Sequence, residues 1–314
     1  MEKDSRYIDI FCVGELLLDL IGHQMDQPIA GTKDYHRYLG GSPANVAMNM
    51  SRLGCRVAMA ASVGDDGFGT YILNRLDENA INTQGISKRN DKHTTVVFVS
   101  RTKDTPEFIP YREADYHIYE DQLPDALISE AKIFHTSSFA LSKDPARHTI
   151  LQKAKTAYRN GCTLSIDFNY SEKIWNHKEE AIKVLKTFCQ YNPLLKVSKD
   201  DVTRLLGGAV SHDEAFRYFH DLGVDIICLT LGKDGARLSQ RGQSVLALSA
   251  PKIKKIMDAT GAGDAFWSGF LFAWLKEKPL KQCMETALQM AAVKLQNVGR
   301  IPDYAAALPG IMAI

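Results

Sequence analysis

Asp258-Ala259-Thr260-Gly261-Ala262-Gly263-Asp264-Ala265-Phe266 opens a stretch that runs on, almost wholly apolar, through Phe270, Leu271, Phe272, Trp274 and Leu275. Apolar side chains on nearly every face predict a buried helix over about 261–275. Only small residues precede it. Its N-terminus would therefore present backbone N–H groups and the positive end of the helix dipole with no side chain in the way. That is a place for phosphate. Asp264 falls in the first turn and is the only charge before Lys276. A carboxylate buried there is costly unless something pairs or uses it. The alternative is a plain helix cap, although Thr260 or Asp258 already supplies one.

Outward from this helix, short β-branched or apolar runs alternate with amphipathic stretches of helical length. Strands are expected at Ile8–Val13, Val57–Ala61, Lys132–His135, Thr163–Asp167 and Ile226–Thr230. Between them come helices at Pro43–Leu53, with Ser42 as N-cap, at Phe68–Glu78, and after Asp144-Pro145. A further helix near Ser211 carries a capping box with Glu214, and Leu280–Gln296 follows the buried helix. Such alternation predicts an α/β fold with a doubly wound, mainly parallel sheet and helices on both faces. Two regions break the rhythm, at about 16–39 and 93–112. Neither holds a convincing helix. Both read as strands that leave the main sheet to form a small cover, or else an edge hairpin of that same sheet.

Composition narrows the function. In 314 residues, Lys plus Arg total 38 against 37 for Asp plus Glu, a net charge of +1. That balance removes the electrostatic case for a nucleic-acid binder. Apolar runs fall short of a bilayer span and no basic-then-apolar leader opens the chain, so no membrane role is expected. Six cysteines are scattered without a C-x-x-C pair, which predicts neither zinc nor a disulfide framework and suits the cytoplasm.

A second signal is Gly40-Gly41-Ser42-Pro43-Ala44-Asn45. Paired glycines let a ligand approach the backbone, and Asn45 offers a donor and an acceptor from the first helical turn. No G-x-G-x-x-G follows the first strand and no G-x-x-x-x-G-K-[ST] occurs, which disfavours a dinucleotide oxidoreductase and a P-loop kinase. The segments Gly40–Gly54 and Asp258–Phe270 together resemble the paired signatures of the ribokinase-like carbohydrate kinases, the phosphofructokinase B family. Val63–Gly69 and Leu229–Gly235 also look like family segments in the expected order.

The resemblance implies a ribokinase-like fold over residues 1–314, ATP as phosphoryl donor, Mg²⁺, and a β-lid closing over a sugar. It makes Asp264 the base that takes the proton of the attacking hydroxyl. Gly261, Ala262 and Gly263 become the anion hole for the transferred phosphoryl group. Thr230, Gly232 and Gly235 match the loop beside ATP, and Asn297 is placed near the adenine. Asp19 matches a position that binds sugar hydroxyls, joined by Gly40, Gly41 and Asn45; the alternative for Asp19 is a solvated strand residue. Asp258 and Thr260 occupy positions that hold a potassium ion in several relatives. Asp201, where relatives often carry Glu, is expected to reach Mg²⁺ through water.

For the acceptor, Gly40–Asn45 and Lys196-Val197-Ser198 are similar to fructokinases. Pro110–Asp115 resembles both fructokinases and kinases of keto-deoxy sugar acids. A carboxylate substrate would want two converging cations; Arg112 is one, but the second expected arginine is Ser171 here. Fructose, converted to fructose 6-phosphate, is the favoured acceptor. The alternatives are a keto-deoxy sugar acid, a nucleoside, or a non-catalytic sugar sensor on a kinase fold. An alternative for Arg112 is a lid-surface ion pair with Glu113 or Asp115. Val96, Phe98, Phe108 and Tyr111, with Leu16, Leu18 and Leu20, give the lid apolar surface, from which a homodimer through the lid is expected.

Overall fold

The computed structural model describes residues 6–102, 106–299, 301 and 304–312. Its strands, in chain order, are β1 (Ile8–Val13), β2 (Leu17–Met25), β3 (Tyr35–Gly40), β4 (Val57–Gly64), β5 (Asn82–Arg89), β6 (Val96–Arg101) and β7 (Phe108–Tyr111). They continue with β8 (Ala131–Ser137), β9 (Thr163–Asp167), β10 (Leu194–Ser198), β11 (Ile226–Thr230), β12 (Ala236–Gln240) and β13 (Leu246–Leu248). One sheet runs β13-β12-β11-β10-β9-β8-β1-β4-β5. It is parallel from β11 to β5, with β12 and β13 added antiparallel at one edge.

Side chains alternate across β1, so Phe11 and Val13 join one buried cluster while Ile10 and Cys12 join another on the opposite face. Helices cover both faces, as parallel strands buried on both sides require. The Ala262–Leu275 helix is buried from Ala265 to Ala273, as its all-round apolar sequence predicts. The strand order reverses around β1, which has β4 on one side and β8 on the other. Crevices beyond the carboxyl ends of the strands at such a point are where open α/β sheets bind ligands.

The irregular regions form a sheet of their own, ordered β3-β2-β6-β7, and not a hairpin on the edge of the main sheet. Lys103 and Asp104, between the two extended runs, lie outside the described residues. Three of the apolar residues assigned to the free face of this lid turn inward instead. Leu16 and Leu18 are fully buried in the core, and Phe108 packs beneath the lid beside Phe139. A period of two sends Phe108 to the face opposite Ile109.

Candidate active site

The two glycine-bearing segments meet at one carboxylate. The Ser42 hydroxyl donates to Asp264 Oδ1 at 2.7 Å, and Asn45 Nδ2 donates to Asp264 Oδ2 at 2.8 Å. Ser42 is therefore not the cap of its helix. Gly41 occupies that position with φ 101°, and the Ser42 hydroxyl is spent on Asp264. A side chain on Gly41 would start 2.3 Å from the Glu15 carbonyl oxygen, so only glycine lets the chain turn there. Glu15 secures the turn from below, accepting from Ser42 N–H at 2.9 Å and from the Ser137 hydroxyl at 2.6 Å. Burial pushes its carboxyl up to about 8.

Gly261 begins the buried helix in the left-handed region, φ 74°, and no side chain caps it. The first intrahelical bond runs from Ala265 N–H to the Gly261 carbonyl at 3.0 Å, so the Gly263 and Asp264 amides precede the ladder. Desolvation is the main effect on Asp264; with the charge of Asp167 it pushes the carboxyl up to about 6, against the pull of Ser42, Lys196 and Asn45. A carboxylate held by two donors keeps lone pairs for a hydroxyl.

Beneath the Gly261–Gly263 loop lies Lys196, which the sequence reading had not assigned a role. Its Nζ sits 2.8 Å from where a Gly263 side chain would begin, and 2.9 and 2.8 Å from the two oxygens of Asp167. Burial works against the ammonium, but the charges of Asp167, Asp201 and Asp264 outweigh it and hold Lys196 above the usual lysine range. The signal was legible: a lysine between Leu195 and Val197 inside an apolar parallel strand is a charge that must be buried. Glu15, between Gly14 and Leu16, carried the same signal.

On the other side of Asp264, Asp19, Asn45, Thr260, Gly261 and Lys294 contribute to the wall of a cavity of about 350 Å³. Asp19 is half-buried, not solvated. Burial, then the charges of Asp264 and Asp258, raise its carboxyl to about 7. Gly40 makes room for it, since a side chain there would begin 2.3 Å from Asp19 Oδ2. Asp258 is fully buried, accepts from Thr260 N–H at 3.0 Å, and lies 3.6 Å from Lys294 Nζ. The Lys294 ammonium also donates to the Asn297 carbonyl at 3.2 Å.

Arg112 lies elsewhere. It donates to Asp115 Oδ2 at 2.6 and 2.9 Å and to the Ser142 hydroxyl at 2.6 Å, and its guanidinium carbon stacks 4.0 Å from the Phe139 ring centre. The ion pair is buried, with side chains 5% and 0% exposed, not on the lid surface. Asp201 closes a capping box with Ser198 and meets Arg204 at 3.0 Å.

Thr230 ends β11, and a single turn, Gly232–Asp234, follows. Leu231, Asp234, Ala236 and Lys199 help to line a second cavity of about 320 Å³. Gly235, with φ 97°, passes the Leu248 carbonyl so closely that a side chain would start 2.0 Å from it. Asn297 does not border that cavity; its amide folds back onto the Val293 carbonyl.

The sequence pattern of the pfkB family carbohydrate kinases matches residues 8–306. The chain is 36% identical over 301 residues to the ATP-dependent 6-phosphofructokinase of Thermoanaerobacterium thermosaccharolyticum, covering 96% of this chain and 92% of that one. It is 32% identical over 325 residues to probable fructokinase-7 of Arabidopsis thaliana, covering 99% and 92%. Among solved structures, the fructokinase of Halothermothrix orenii superposes with a TM-score of 0.80 at 34% identity, covering 90% of this chain and 98% of that one. On likeness that extends over nearly its whole length, the chain belongs to the pfkB family of carbohydrate kinases and is an ATP-dependent sugar kinase.

Proposed function

We propose that the enzyme transfers the γ-phosphoryl group of ATP to a hydroxyl of a ketohexose of the fructose type, with Asp264 as base. The observation that carries this is the convergence of Ser42, Asn45 and Asp264 where the sugar-side cavity meets the start of the buried helix. The sugar oxygen forms a bond to the γ-phosphorus, the bond to the bridging oxygen of the departing ADP breaks, and the hydroxyl proton goes to Asp264. Amides at the Gly261–Gly263 loop take up charge on the transferred group, reinforced by the Lys196 ammonium below. Asp19, Gly40, Gly41 and Asn45 orient the sugar. Thr230, Gly232 and Gly235 border the nucleotide. The names 6-phosphofructokinase and fructokinase share the fructose framework, which supports the ketohexose, although a 27% identical relative in Clostridium perfringens is named 5-dehydro-2-deoxygluconokinase. A keto-deoxy acid would need the donors that Arg112 has committed to Asp115, Ser142 and Phe139.

Mg²⁺ keeps most of its water and rides on substrate phosphates, so it needs no protein cage. Among the described residues no group of three His, Cys, Asp or Glu side chains could hold a metal. Asp201, capping its helix and paired with Arg204, suits a contact through water. The Asp258–Thr260 corner fits potassium poorly, because the Lys294 ammonium already faces that carboxylate. We place the enzyme in the cytoplasm, which suits six free cysteines of which five are buried. We further propose a homodimer through the outer face of the lid, where Phe98 packs edge-on against Tyr35 and Tyr111 and Ile109 is exposed.

Asp264→Asn tests the mechanism. Loss of a general base lowers turnover by about 10²–10⁴-fold, while ATP binding changes little. Turnover within threefold of the unaltered enzyme would remove Asp264 from the chemistry.

A further inference from the structure

Asp258 lies three residues ahead of Gly261 and is fully buried. Its Oδ1 accepts from Thr260 N–H at 3.0 Å, which fixes the turn into the Gly261–Gly263 loop. Its Oδ2 faces Lys294 Nζ at 3.6 Å and the Gly299 amide at 3.5 Å. An unbalanced negative charge at this place would oppose a phosphoryl group arriving at the loop. Burial of a carboxylate also demands a cation, and here the cation arrives on a side chain.

Lys294 stands in the last turn of the Leu280–Leu295 helix. Its Nζ donates to the Asn297 carbonyl at 3.2 Å, so one ammonium spans a carboxylate and a main-chain oxygen. Its Cε passes 3.5 Å from where a side chain on Gly261 would begin. The main chain joins the same two segments, through Met257 N–H to the Leu295 carbonyl at 2.8 Å. Burial pulls Lys294 below the ordinary lysine range, and the charges of Asp258 and Asp264 resist that pull. The buried Thr260 hydroxyl, two residues from Asp258, has no partner among the described residues. Carboxylate, carbonyl and hydroxyl oxygens are what a hard cation binds. Lys294 leaves such an ion no room.

We propose that Lys294 is a positioning residue that serves as a built-in monovalent cation: its ammonium neutralises Asp258 and ties the 294–299 turn to the loop that receives the phosphoryl group. This rests on the kinase reading above and deepens it. The ammonium acts through Asp258 and the loop, taking no proton and making no bond. Shortening this side chain therefore turns an enzyme that ignores monovalent cations into one that needs them.

The test removes the ammonium in two ways. Lys294→Ala leaves an open corner, whereas Lys294→Met removes the charge and keeps the bulk. In tetramethylammonium chloride, both should turn over fructose about a hundredfold more slowly than the unaltered enzyme, chiefly through kcat. Potassium or ammonium chloride at equal ionic strength should restore Lys294→Ala by about tenfold or more. Neither salt should move Lys294→Met or the unaltered enzyme. Thermal unfolding gives a reading independent of turnover. The midpoint of Lys294→Ala should rise with potassium concentration, as linkage requires, and that of Lys294→Met should not. Should Lys294→Ala fail to fold, Asp258→Asn combined with Lys294→Met removes both charges and should unfold at a higher temperature than Lys294→Met alone. Turnover of Lys294→Ala within about threefold of the unaltered enzyme in tetramethylammonium overturns the proposal. So does a slow Lys294→Ala whose rate and midpoint no cation moves, or a double variant no more stable than Lys294→Met. If the unaltered enzyme does not phosphorylate fructose, the acceptor reading fails by itself, and the unfolding midpoints still decide the role of Lys294.

Discussion

Replacing Lys196 by Met would break the buried ion pair beneath the Gly261–Gly263 loop from one side. The two residues are 5% and 1% exposed, and both oxygens of Asp167 accept from the same ammonium, at 2.9 and 2.8 Å. Among the described residues, these are the only hydrogen bonds to that carboxylate. Lys196→Met therefore leaves a buried carboxylate without a partner, at a cost of about 3–5 kcal/mol. A folded protein holds about 5–15 kcal/mol in all, so the loss should be plain in urea unfolding followed by circular dichroism near pH 7.5. The deficit should shrink as pH falls. An unpaired, buried Asp167 has a folded-state pKa above its unfolded value, so it takes a proton more readily when folded, and acid favours the native state. Asp167→Asn combined with Lys196→Met removes both charges and should recover most of the stability. Turnover should stay low in that double variant, because the positive charge under Gly263 is still missing. A cost below about 1 kcal/mol for Lys196→Met, or a double variant no more stable than the single one, would refute the ion-pair reasoning. A double variant with normal turnover would show that Lys196 acts only on the fold.

Three other outcomes are expected. Because burial, then the charge of Asp167, raises Asp264 to about 6, the ionised base is present above that pH and lost below it. Turnover should fall about tenfold per unit on the acid side, and a flat profile down to pH 4.5 would exclude Asp264 as the titrating base. The Lys294 ammonium beside Asp258 should make the enzyme indifferent to potassium. Rates in potassium and tetramethylammonium chloride at equal ionic strength should agree within about twofold, and strong activation by potassium would contradict this. Light scattering at micromolar concentration should report a dimer that Val96→Lys with Phe98→Lys dissociates; an active monomer of the unaltered chain would mean that the lid closes on its own core.

How much of this was written locally in the chain differs between fold and site. The strands and helices follow from side-chain period, capping residues and turns, which act over a few residues. The Ala262–Leu275 helix could be read as buried because its apolar residues leave no polar face. Asp264 was visible as the single charge at the start of that helix. Ser42 misled, because a serine before a proline has the look of a cap, while the hydroxyl is drawn to a carboxylate 222 residues later.

Tertiary packing decided what no local pattern contains. It put Lys196 under Gly263, set Lys294 against Asp258, and turned Arg112 toward Asp115. It also sent Leu16, Leu18 and Phe108 inward from the lid and gathered Arg37, Arg52 and Arg75 from a strand and two helices into one cavity. Charge pairing depends on distance through space and on exclusion of water, and both are set only when separate segments dock. The sequence by itself determined which elements form and that the buried helix begins behind small residues, with its N-terminal amides open; only the folded chain determined which charges surround that N-terminus.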